Sequence, residues 1–111
     1  EEQVRQIPIE TIFEAMPPRL NPDKANDKLI AVGFNMSDTG KQFGIIIRNN
    51  IAEIVDYIPE NAEIIVTVET STWKGIVLGI TDAKNAVASG KLSVSGNYLK
   101  FIQFSTMFDK D

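Results

Sequence analysis

The residues that first suggest chemistry are Asp38-Thr39-Gly40, the triplet with which acid proteases activate water. Two such carboxylates share one proton across a two-fold axis, because like charges in contact cannot both ionise. That chemistry wants an apolar residue before the Asp and a small one after the Gly, and Ser37 and Lys41 stand there instead. A Ser-Asp-Thr-Gly hairpin tip accounts for the triplet more simply. Glu53 with Asp56, or Glu60 with Glu63, could hold a metal or divide acid and base roles. The first pair has opposite parity on one strand and so faces opposite sides. The second flanks a turn, where carboxylates are usually solvated. Asn35-Met36-Ser37 spells a glycosylation sequon with nothing beside it in support, and the glycines compose no phosphate-binding loop.

The missing residue types decide more. The chain has no histidine and no cysteine, which removes the commonest general base, the commonest transition-metal ligand and every thiol nucleophile. A Ser-His-Asp triad, a histidine-based metallohydrolase site and a zinc finger are excluded within it. The net charge of −4, from 15 acidic and 11 basic residues, leaves no electrostatic footprint for nucleic acid and no attraction to an anionic membrane surface. No apolar run approaches a membrane span.

The elements that must position any site follow from spacing. With 111 residues, 43% of them apolar and 23% charged, the size prior gives one domain able to bury a core: a polar lead-in or linker over 1–8, then a folded unit over 9–111. Ile9, Ile12, Phe13 and Met16 keep helical spacing, and Pro17-Pro18 stops that helix. Asn21 caps a short turn with Pro22 at its first position. Strands are expected over 29–35, 42–48, 51–57 and 62–69, with a loop at 36–40 and a two-residue turn at Asn49-Asn50. Their short connections predict that all four are antiparallel neighbours. Phe43, Ile45 and Ile47 share one face, as do Ile64, Val66 and Val68. The opposite face keeps Ile46, Ile65 and Leu29 or Ile30, which suits a partner or a few exposed isoleucines.

Helices over 72–78 and 82–89, the second capped by Asp82, precede a strand over 92–95. A last helix over 98–108, capped by Asn97, closes the order. Strands clustered and helices clustered predict an α+β fold: a mainly antiparallel sheet of about five strands with helices packed on one face. In the last helix Tyr98, Leu99, Phe101, Ile102, Phe104 and Phe108 span an arc of roughly 220° at about 100° per residue. A helix lying on a sheet needs a stripe little wider than 100°. A solid core covered by other helices, an apolar slot for an acyl or alkyl chain, and a protein interface all fit that surplus.

Arg19-Leu20 with Lys24-Ala25, Ser37-Asp38-Thr39-Gly40, Arg48-Asn49, Thr70-x-x-Trp73 with Ile76 and Gly79, Ser89 to Gly96, and Phe108-Asp109 form an ordered set across most of the chain. On that set the chain resembles the C-terminal domain of zinc-dependent, metallo-β-lactamase-fold alkyl sulfatases, a domain of the sterol-carrier-protein-like superfamily. The resemblance implies a non-catalytic domain that binds an alkyl or acyl chain, from an alkyl sulfate, a fatty acid or similar, and recruits it to a separate N-terminal catalytic domain. Zinc is expected in that absent domain and no cofactor in this chain, and the parent protein is expected to be periplasmic or secreted. The chain lacks an initiator Met and stops where the family usually continues, so a piece of a larger protein is expected. Trp73, Ile76, Val77, Phe101, Phe104 and Phe108 are the candidate lining residues, on greasiness and position, and little headgroup discrimination is expected. A structural or interaction domain with a filled core, and a free-standing lipid carrier, are the alternatives.

Overall fold

In a computed structural model of the chain, residues 7–26 and 28–108 are described. The lead-in over 1–8 falls largely outside them, as does Asp109. Helix α1 (Ile9–Glu14) buries Ile9, Ile12 and Phe13. Pro17–Arg19 then form a 3-10 turn. Helix α2 (Pro22–Ala25) is capped by Asn21, whose side chain accepts from Asp23 N at 2.9 Å and Lys24 N at 3.4 Å.

Strands β1 (Ile30–Met36), β2 (Gln42–Arg48), β3 (Ile51–Val55), β4 (Ile64–Val68) and β5 (Leu92–Gly96) make one sheet in the order β3-β2-β1-β4-β5. The Asn49-Asn50 turn has positive φ at both residues, 53° and 62°. Parity holds through the register. Val32 lies opposite Ile45 and Ile64, and Phe34 lies opposite Phe43 and Val66. This row of apolar side chains faces α1, α3 (Thr70–Val77), α4 (Ala83–Ala88) and α5 (Tyr98–Thr106), and one core cluster joins them. The architecture is the expected α+β, with a mostly antiparallel sheet.

One pairing differs from expectation. β4 does not sit beside β3; it pairs with β1, and it does so in parallel. Parallel neighbours ordinarily need a crossover of about a dozen residues or more, yet residues 56–63 suffice here. They pass over the face of the sheet away from the helices, where Gly33 and Gly44 stand opposite each other. A Cβ on Gly33 would lie 2.5 Å from the Ile58 side chain, and one on Gly44 would lie 2.5 Å from Pro59 and 2.7 Å from the Tyr57 carbonyl. The two missing side chains leave a flat track on which the connection lies against the sheet. On the same face Leu29 and Ile51 are exposed, whereas Ile30 turns into the core. Asp56 belongs to the crossover and not to a strand.

Candidate functional site

Helix α3 begins where the first hairpin reaches it. Asp38 Oδ1 accepts from Thr70 N at 3.0 Å and from Thr70 Oγ1 at 2.8 Å. These bonds, the backbone one first, hold the Asp38 carboxyl below its ordinary value of 3.8. The catalytic-looking triplet is thus a hairpin tip that tethers a helix end, favourable because an anion there meets unpaired N–H groups. At the other end of α3, Arg19 Nη1 donates to Val77 O at 3.0 Å, a cation on a carbonyl that the helix leaves open.

The next turn reverses at Gly79, with φ 78°, and Asp82 caps α4 by accepting from Lys84 N at 3.3 Å. Asn97 likewise caps α5, accepting from Lys100 N at 3.2 Å. α5 stops at Thr106, and Phe108 lies beyond it in an antiparallel bridge with Leu20. Asn21 N donates to Met107 O at 2.7 Å beside that bridge. The early turn and the end of α5 are therefore fastened together.

Between α3, α4, α5 and the 3-10 turn lies a recess of about 500 Å³ open to solvent, inside the ~300–1,000 Å³ range of small-molecule sites. Trp73, Ile76, Val77, Phe104 and Phe108 line it. Phe101 does not: it is fully buried in the core, its ring centroid 6.4 Å from that of Phe104. The surplus arc of α5 divides accordingly. Ile102 and Phe104 face the recess, Phe101 faces the core, and Tyr98 and Leu99 are exposed, Leu99 at 71%. Phe104 also meets Phe108 edge-on at 5.4 Å. Trp73 sits 4.7 Å from Phe34, centroid to centroid. Its Nε1 is buried without a hydrogen-bond partner, a donor whose desolvation costs about 1–3 kcal/mol.

Sequence reasoning missed Met16 and Ala83 in the wall and Arg19, Lys24 and Lys84 beside them. These come from three separate segments, and only the fold brings them to one place. Ile102 was visible on the apolar arc. Ser105 and Thr106 also line the recess, but their hydroxyls donate to Ile102 O and Gln103 O, each at 2.8 Å. Neither is paired with a base. No cluster of three His, Cys, Asp or Glu side chains that could hold a metal occurs among the described residues, and with histidine and cysteine absent the donors present do not fit zinc. No helix among the described residues is long and apolar enough to cross a membrane.

A search of curated proteins finds no match. Among solved structures, the chain is similar to the stereoselective inverting sec-alkylsulfatase Pisa1 from Pseudomonas sp., with TM-score 0.85 and 20% identity over 95% of this chain. It spans 17% of that protein's length. It is also similar to sterol carrier protein 2-like 2 from Aedes aegypti, with TM-score 0.68 and 15% identity, covering 90% of this chain and 95% of that one. A palmitated form of the same mosquito protein matches at TM-score 0.66 and 16% identity, covering 90% and 93%. These likenesses establish a sterol-carrier-like fold. The family model for the alkyl sulfatase C-terminal region matches residues 1–111, and the chain belongs to that family.

Proposed function

We propose that this chain is a non-catalytic domain that takes the alkyl or acyl tail of an amphiphile into the recess between α3, α4 and α5. In that reading residues 9–111 are the binding unit. They serve as the substrate-recruiting part of an alkyl sulfatase whose zinc lies in a separate catalytic domain. The observation that carries it is the recess itself: an open apolar volume walled by Trp73, Ile76, Val77, Phe104 and Phe108 in a chain without histidine or cysteine. Membership of the family and the likeness to a palmitated sterol-carrier-like protein support it.

Burial of a methylene is worth ~0.8 kcal/mol, so a dodecyl tail gains at most about 9 kcal/mol before the cost of ordering it. Micromolar affinity is the ceiling this sets. Shortening the tail by two carbons should weaken binding by about tenfold. Titration calorimetry with decyl and dodecyl chains, each below its micelle concentration, tests this. Absence of saturable heat, or equal affinity for the two lengths, would refute the reading.

A further inference from the structure

One polar atom of the recess wall makes no bond within the chain. Nε1 of Trp73 is buried and unpartnered, on a residue only 2% exposed. An indole N–H can only donate, and a buried donor left unpaired is rare in folded proteins. The indole stands where core and recess meet. Phe13 and Phe34 pack against it at 6.1 and 4.7 Å between centroids, and neither ring carries an oxygen. It also lines the recess with Met16, Ile76, Val77 and Phe104, all apolar side chains. Four polar groups on that wall are already engaged: Val77 O accepts from Arg19, Asp82 caps α4, and the Ser105 and Thr106 hydroxyls bond within α5. A partner for Nε1 therefore has to enter with the guest. We infer that Trp73 Nε1 donates to an oxygen carried by the guest, and that the recess prefers a straight aliphatic chain interrupted by a neutral carbonyl at the depth of the indole. The inference rests on the tail-binding reading above and deepens it, because apolar burial alone cannot register where along a chain an oxygen lies. The surroundings select the carbonyl. A charged oxygen beside Phe13 and Phe34 would lose its water with nothing to replace it. A hydroxyl would satisfy Nε1 but bring an O–H that needs a second partner. A carbonyl accepts and donates nothing. Nε1 has almost no surface open to solvent, so the oxygen meets it through a rotamer change of neighbouring side chains, an ordinary adjustment on binding.

The test uses the 111-residue chain and the isomeric straight-chain decanones, which share one length and differ only in where the carbonyl sits. Trp73 is the only tryptophan, so isotope-labelled protein gives a single indole N–H signal in NMR spectra. At least one isomer should move that signal downfield and slow its exchange with solvent. The isomers should also differ in affinity by about tenfold, the worth of one hydrogen bond to a buried donor. Trp73→Phe keeps an aromatic ring without the N–H and should bind all the isomers equally, at the level of the weakest. The NMR reading on the unaltered chain decides the matter whether or not that variant folds. Decanones that bind with equal affinity and leave the indole signal unmoved overturn this inference while the tail-binding reading stands. An indole signal already downfield in the free chain and unmoved by every isomer overturns it as well, since Nε1 then holds an internal water. Failure of the decanones and of dodecanoate alike to bind overturns both.

Discussion

The carboxylate of Asp38 reaches from the β1–β2 hairpin to the first turn of α3, so its ionisation is linked to folding. Its folded value lies below the ordinary 3.8, chiefly through the bond from Thr70 N. Glu10 is lowered in the same direction, first by the hydrogen bond from Lys41 at 2.7 Å. A depressed carboxylate takes up its proton more readily in the unfolded chain, so its contribution is complete above the unfolded value and disappears as pH falls through the folded one. Asp38→Asn should therefore lower stability near neutral pH and flatten its decline below about pH 4, as thermal melts across that range would show. Phe101 and Phe108 offer a second comparison. Phe101 is sealed in the core, and Phe101→Ala should cost about 3–5 kcal/mol of stability. Phe108→Ala opens the recess wall and should cost less stability but more tail affinity, checked by urea titration alongside calorimetry. Greasiness marked both rings in the sequence. It could not tell which one faced the void, because that depends on where α5 ends and which strand lies beneath it.

At the scale of elements, the strands were legible to within about two residues because alternation survives burial on one face. The caps Asn21, Asp82 and Asn97 were legible from residue type at a helix start. The β1/β4 pairing was not, because a connection as short as residues 56–63 argues for a hairpin. The signal lay in Gly33 and Gly44, one in β1 and one in its neighbour β2, and it acquires meaning only once the register sets them side by side. Gly44→Ala should destabilise by roughly 1–3 kcal/mol, since its Cβ would press on the Tyr57 carbonyl and the Pro59 ring. Gly33→Ala presses on the branched root of Ile58, with Cγ2 at 2.5 Å, Cγ1 at 3.2 Å and Cβ at 3.3 Å, which rotation about χ1 does not clear, so its cost should be of similar size. Chemical denaturation of the two variants checks this, and a neutral effect of both would contradict the account of the crossover.

Over the whole molecule, the sheet presents one face to the helices and the other to the crossover, and the recess opens on the helical side. Its wall contains the single tryptophan, so tail binding should carry an optical signature. A dodecanoate brominated along its tail should quench Trp73 emission saturably, and Val77→Phe, which fills the recess from one side, should weaken that quenching at least tenfold. The composition excluded a histidine- or thiol-based site before any fold was known, since no arrangement of these residues supplies either group. The existence of the recess was not legible: an oily helix face describes a filled core and a lined hollow equally well.

The Leu20–Phe108 bridge carries a consequence for biosynthesis. Partners separated by nearly the entire span of the chain cannot meet until the later one has left the ribosome. The sheet can form beforehand, from segments already exposed. The recess is thus completed only after the sheet, and a product cut short before Phe108 would keep its strands while leaving that recess unfinished.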